Sequence, residues 1–114
     1  MILKMMKMVN RFMRIMVFFD LPVDTKLRRK AYSKFRKFLI NDGFVMIQYS
    51  VYARTVRNND DAKKHCRYIR ENVPREGSVR VMTVTEKQYA SMELMVGERL
   101  KSENLLDSKD IIEL

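Results

Sequence analysis

The residue pattern predicts an α+β fold in which two amphipathic helices cover one face of a single sheet. Three observations carry this expectation. The apolar spacing switches back and forth between two and about 3.6 residues, helix start and stop signals fall at the switches, and the resulting order is strand, helix, strand, strand, helix, strand.

Met13–Asp20 is an apolar run rich in β-formers that ends at Leu21-Pro22, which reads as a buried strand entering a turn. From Lys26 to Asp42 the spacing becomes helical. Leu27, Ala31, Phe35, Phe38 and Leu39 fall within one third of a helical wheel, with Lys26, Arg29, Lys30, Lys34, Arg36 and Lys37 on the opposite half. Asp24 or Thr25 caps its start and Asn41-Asp42-Gly43 ends it. Phe44–Arg54 alternates, with room for one strand or a kinked pair. Asn58–Asp61 opens a second helix whose stripe is Ala62, Cys66, Ile69 and Val73, and Pro74 stops it. Ser78–Val84 reads as a strand after Gly77, and Thr85 with Gln88 matches a capping box for a helical turn over Glu86–Ser91. Met92–Val96 is strand-like, Gly97–Lys109 is polar linker, and Asp110–Leu114 reads as a short final strand. The order is that of the split βαβ, or ferredoxin-like, arrangement with an additional C-terminal strand or tail. The organisation expected is an N-terminal extension over residues 1–12, a ferredoxin-like domain over 13–92, and a C-terminal strand and tail over 93–114.

In such a fold both helices lie on one face of the sheet, so the other face is solvated, bound or dimerised. Both side-chain parities of the first strand are apolar. Met16 and Phe18 therefore lie opposite Ile15, Val17 and Phe19, and an apolar second face predicts a homodimer packed sheet to sheet.

At 114 residues the chain is one domain's worth. Its 32% charged residues and lack of a long apolar run exclude a membrane span. Lys4 and Lys7 interrupt the methionine-rich opening before a signal-peptide core can form, so the expected location is cytoplasmic. One cysteine and one histidine rule out an internal disulfide framework and zinc ligand sets that need several Cys or His. Cys66 reads as a small core residue and His65 as an exposed helical one.

The charge is the informative number: 23 Lys+Arg against 14 Asp+Glu leave +9, the footprint of a polyanion binder. It is divided, with +12 over residues 1–75 and −3 over residues 76–114. The helical cations Arg28, Arg29, Lys30, Lys34, Arg36, Lys37, Lys63, Lys64, Arg67 and Arg70 are the candidate nucleic-acid contacts. Asp20 shares the parity of Met16 and Phe18 and ends the first strand. Two copies would bring two Asp20 carboxylates toward a common axis, a plausible Mg²⁺ or Mn²⁺ site for phosphodiester hydrolysis, although an Asp in this context is also an ordinary turn or cap residue. Arg28 sits where it can reach Asp20 or a phosphate, or pair with Asp24 at i+4 spacing.

Four stretches now combine: Met16-Val-Phe-Phe-Asp20-Leu-Pro-Val-Asp24-Thr, Arg29–Leu39, Gly43-Phe-Val-Met-Ile-Gln-Tyr-Ser-Val-Tyr52 and Val81–Tyr89. Together, over about residues 13–96, they resemble the small CRISPR-associated adaptation proteins of the Cas2 family, in the form that accompanies type II systems. The resemblance implies a ferredoxin-like homodimer whose C-terminal strands add to the neighbouring protomer's sheet. Ile111, Ile112 and Leu114 join Met16 and Phe18 as the partner-facing residues. It further implies a dimer that bridges pairs of the CRISPR integrase subunit (the Cas1 family), captures a short foreign duplex DNA and inserts it into the repeat array. Some relatives are described as metal-dependent endonucleases with the aspartate ending the first strand as metal ligand, which here is Asp20. The family often has Tyr before that Asp, where this chain has Phe19, and a family arginine early in the first helix falls on Arg28 or Arg29.

Three functions follow for comparison: a DNA-binding scaffold for spacer acquisition, an endonuclease acting on RNA or DNA through an Asp20 pair, and a single-strand RNA binder of the RNA-recognition-motif type. The last shares the strand and helix order but needs a Lys/Arg-Gly-Phe pattern that this sequence lacks.

Overall fold

The computed structural model describes residues 12–98. Strand β1 (Met13–Asp20) is followed by helix α1 (Lys26–Asn41), strands β2 (Val45–Gln48) and β3 (Val51–Val56), helix α2 (Asn59–Asn72), strand β4 (Ser78–Thr85) and the short helix α3 (Glu86–Ala90). The sheet is antiparallel, in the order β2-β3-β1-β4. That order is the ferredoxin-like arrangement, with β1 at its centre: Val17 faces Tyr52 on one side and Val81 on the other. Phe44–Arg54 resolves into the kinked pair, joined through Tyr49-Ser50 and carrying a register shift between Met46 and Gln48.

The helices start and stop where local chemistry says they should. Thr25 accepts the Arg28 N–H at 3.1 Å and Asn58 accepts the Asp61 N–H at 2.8 Å, each filling an orphan donor of the first turn. Helix α1 ends in a Schellman arrangement: Gly43, at φ +90°, donates to Ile40 O and Phe44 donates to Leu39 O. The capping box on α3 has both of its bonds, Gln88 N–H to Thr85 Oγ1 at 3.1 Å and Thr85 N–H to Gln88 Oε1 at 2.9 Å.

Ile15, Val17 and Phe19 point at the helices and pack with Phe35 and Leu39 of α1, Ile69 of α2, and Tyr52 and Val56 of β3. Phe19 is the hub, with ring centroids of Tyr32, Phe35 and Tyr52 at 5.9, 5.4 and 5.6 Å. The Tyr52 hydroxyl is not left bare, because Arg36 Nε–H donates to it at 2.9 Å.

Several expectations need correction. His65 is not exposed: it is 5% accessible, with Nδ1 2.8 Å from Asp42 Oδ2 and Nε2 3.4 Å from Asp61 Oδ1. Asp42 lies just past the end of α1, so the two carboxylates that enclose the ring come from both helices. Cys66 is only half-buried at the margin of the core. The inward stripe of α2 keeps Ala62 and Ile69 but takes Asp61 and His65 in place of Cys66 and Val73, and Val73 is exposed. Leu27, expected in the apolar stripe of α1, is 79% exposed. Residues 92–96 form no strand, and Met92, Leu94, Met95 and Val96 are exposed.

The second sheet face is less open than its sequence suggests. Helix α3 folds back over the start of β1, where Tyr89 packs on Met16 and Ala53. Arg14, only 2% accessible, pairs with Glu86 through two hydrogen bonds of 2.5 and 2.9 Å, and its guanidinium lies 3.9 Å from the Tyr89 ring centroid. Met16, expected to face a partner, is thereby buried within the chain, while Phe18, Val45, Ile47, Val51 and Val84 stay partly covered and Met82 is 49% exposed. Ile111, Ile112 and Leu114 lie outside the described residues, as does the expected final strand.

Candidate functional site

Asp20 closes β1 and is exposed, directly opposite Ser78 on β4. Its side chain makes no hydrogen bond or ion pair with any described residue. The backbone that presents it depends on one glycine. Gly77 adopts φ +93°, and a Cβ there would lie 2.6 Å from the Asp20 carbonyl oxygen, so only glycine lets β4 enter against the end of β1.

Two hollows meet at Asp20. The first is lined by Asp24, Arg28, Glu76 and Ser78. Here Arg28 is fully engaged: its Nη1 donates to both carboxylate oxygens of Asp24 at 3.0 Å, and its Nε and Nη2 donate to Glu76 Oε2 at 3.1 and 2.9 Å. The Glu76 and then the Asp24 hydrogen bonds raise the Arg28 pKa, and the Arg28 hydrogen bond lowers that of Asp24. Of the alternatives open to Arg28, the i+4 pair is the one formed, and Glu76 is an addition that spacing alone does not show. The second hollow is lined by Phe18, Tyr49, Ser50 and Arg80. Tyr49 stands in the Gln48–Val51 stretch that carries the family resemblance, but neither it nor Arg80 reads as a site residue from the sequence. They emerge only once the β2–β3 turn and the β1–β4 register are known.

The remaining cations lie on the helix side. Arg29, Lys30, Lys34, Lys37, Lys63 and Arg70 are exposed, and because α1 and α2 pack on the same face of the sheet, their outer surfaces form one layer. Others are already partnered: Arg36 with Tyr52, Lys64 with Asp61 at 3.4 Å, and Arg67 with Glu71 at 3.9 Å. Arg29 keeps its charge exposed while donating to Val23 O at 3.1 Å.

The donor set fits a divalent ion only as a half-site. Among the described residues no group of three or more His, Cys, Asp or Glu side chains is placed to hold a metal, and Asp24 and Glu76 are engaged by Arg28. Asp20 alone is left, a single carboxylate. A hard cation that takes one or two carboxylates plus phosphate oxygens would need a second Asp20 or substrate to complete its shell. No helix among the described residues is long and apolar enough to cross a membrane.

The fold and site define a small ferredoxin-like α+β domain with a cationic helical layer and an unpaired carboxylate at the rim of its partly open sheet face. A family model for "CRISPR associated protein Cas2" matches residues 13–92, and the chain belongs to that family. It is 54% identical over 99 residues to the "CRISPR-associated endoribonuclease Cas2" of Acidovorax ebreus (strain TPSY), covering 87% of this chain and 97% of that protein. Proteins of the same name from Treponema denticola and Streptococcus mutans serotype c (strain UA159) are 54% and 47% identical. Those two matches cover 75% and 76% of this chain, and 85% and 80% of the relatives. Among solved structures, one described as "Crystal structure of cas2" superposes with a TM-score of 0.55 at 20% identity, covering 80% of this chain and 92% of that one, a likeness in fold.

Proposed function

We propose that this CRISPR-associated protein is a dimeric scaffold of spacer acquisition, which binds the backbone of duplex DNA and bridges integrase subunits. The observation that carries the reading is the exposed cationic layer formed by α1 and α2 on one side of the sheet. Lysines and arginines on solvated helix faces read phosphates without reading bases, and a protein that handles foreign DNA of any sequence needs that indifference. The apolar surface of Phe18, Val51 and Met82 on the other side supports self-association. A second copy packed there would bring the two Asp20 rims near each other.

A second reading is a Mg²⁺- or Mn²⁺-dependent endonuclease acting on RNA or DNA. It is favoured by the exposed, unpaired Asp20 carboxylate and by the names of the relatives. A metal held by the Asp20 pair would supply Lewis-acid activation at a phosphodiester. In that reading Asp20 binds, and Arg28 fixes the first turn of α1 to the β4 entry so that the rim keeps its shape.

Asp20→Ala separates the two in a reconstituted spacer-integration reaction with the integrase. The scaffold reading predicts integration at near wild-type level. Loss of integration, with dimerisation and DNA binding intact, would contradict it in favour of chemistry at Asp20.

A further inference from the structure

We propose that the groove beside the first turns of α1 seats the acidic, apolar C-terminal segment of the same chain, residues 102–114, and that DNA displaces this segment from Lys30 and Lys34. The docking stands on the groove and the segment alone. Its displacement by DNA rests on the scaffold reading above and names a regulation of that same cationic layer.

The groove is built where α1 starts. Leu21, Pro22, Leu27, Ala31, Tyr32 and Pro74 give it an apolar floor, and its volume is about 370 Å³. Leu27 stands 79% exposed along it, so a segment seated there takes apolar surface of both partners out of water. Leu21 packs with the helix-side core, so the groove belongs to that side of the sheet and not to the face that a second copy would cover. The charged side chains that line it are Arg28, Lys30, Lys34 and Arg75 against Glu76, a net +3. Arg28 and Glu76 satisfy each other, whereas Lys30, Lys34 and Arg75 are exposed and make no ion pair with any described residue.

The sequence holds the complement. Residues 102–114 carry Glu103, Asp107, Asp110 and Glu113 against Lys109, a net −3. Leu105-Leu106 stands between Glu103 and Asp107, and Ile111-Ile112 between Asp110 and Glu113, so each aliphatic pair suited to an apolar floor arrives with carboxylates for a cationic rim. The chain is long enough. Residues 99–109 span up to about 36 Å when extended. Strand β1, from the end that α3 covers to the end beside the groove, is eight residues, or about 26 Å. A tethered segment meets its groove at an effective concentration on the order of millimolar, so contacts too weak to retain a free peptide suffice. Once seated, its carboxylates occupy the ammonium groups of Lys30 and Lys34 that the scaffold reading gives to phosphates. Docking and duplex binding therefore weaken each other by the same factor.

Zero-length carbodiimide crosslinking of the full chain, read by mass spectrometry, tests the docking, because it joins an ammonium to a carboxylate only where the two touch. Mixed dimers of unlabelled and isotope-labelled chains tell whether the joined peptides come from one chain or two. Lys30 and Lys34 should be joined to Asp107, Asp110 or Glu113 within one chain, in yields well above those of Lys63 on the outer face of α2. Ala31→Arg, which fills the floor, should abolish that preference. So should Ile111→Ser combined with Ile112→Ser, which alters no described residue and no charge. Blunt duplex should suppress the crosslinks, and the Ser double variant should bind duplex about twofold tighter or more, the gain when a competitor that occupies half the sites is removed. Equal yields at Lys63 would overturn the docking. Joined peptides drawn only from two different chains would also overturn it, placing the segment on the neighbouring protomer as the family resemblance implies. Crosslinks that bound duplex leaves untouched would overturn the displacement. Crosslinks in a protein that binds no duplex would overturn the scaffold reading while the docking stands.

Discussion

Arg28 and Arg80 carry the same charge a short way apart on either side of Asp20, yet their surroundings give them different roles. Arg28 is clamped by Asp24 and Glu76 and ties the start of α1 to the entry of β4, while Arg80 has no counter-ion among the described residues. The sequence shows the i+4 spacing of Asp24 and Arg28, but Glu76 lies 48 residues away and becomes a partner only through the sheet register. Gly77 is similar: it reads as a turn residue, and its close approach to Asp20 O depends on β1–β4 pairing. Gly77→Ala is expected to cost more than about 1 kcal/mol, read as a lowered denaturation midpoint, since both the positive φ and the close carbonyl oppose a Cβ. Helical spacing correctly separates His65 from Cys66 but places His65 outward, because the wheel of α2 cannot see Asp42 arriving from α1. Burial would raise the Asp61 pKa, but the Arg57 N–H, Lys64 and the charge of His65 more than offset it and hold the carboxyl below its ordinary value. A carboxylate lowered in the folded state stabilises above its unfolded pKa of about 3.9, and that contribution is lost as pH falls through the folded value. Asp61→Asn should thus cost about 1–3 kcal/mol at pH 7, with the gap from wild type narrowing in urea titrations below about pH 4.

At the scale of elements, periodicity and caps make both long helices and all four strands legible, since each is specified by neighbours in the chain. The strand expected over 92–96 fails because its apolar residues find no sheet edge among the described residues. Helix α3 is legible from Thr85 and Gln88, but its position over β1 is not, because Arg14 and Glu86 are 72 residues apart. Glu86→Ala takes two charge-assisted hydrogen bonds from the buried Arg14 guanidinium, so it should destabilise the protein by roughly 1.5–3 kcal/mol. It should also speed amide exchange at the start of β1, where α3 now covers Met16. Neutralising one face of α1 tests a different property. With Lys30, Lys34 and Lys37 all replaced by Gln, the log–log salt slope for duplex binding should fall by about 0.9 for each phosphate no longer neutralised, with no change in thermal stability. An unchanged slope would show that α1 does not lie on the DNA.

For the molecule as a whole, a cationic helical layer lies on one side of the sheet, and a partly apolar face with Asp20 exposed at its rim lies on the other. Fold and family are legible because they rest on local patterns spread through residues 13–92. The function of the rim is less so, since a lone carboxylate becomes a site only with a second copy, a nucleic acid, or both. The function proposed for the protein is to hold DNA and integrase together. Its most direct test is strand transfer of a duplex into a repeat-containing target by the purified integrase, with and without this protein and with the α1 triple variant. The scaffold account predicts little transfer by integrase alone, full transfer with the wild-type protein and reduced transfer with the variant. Equal transfer in all three reactions would contradict it.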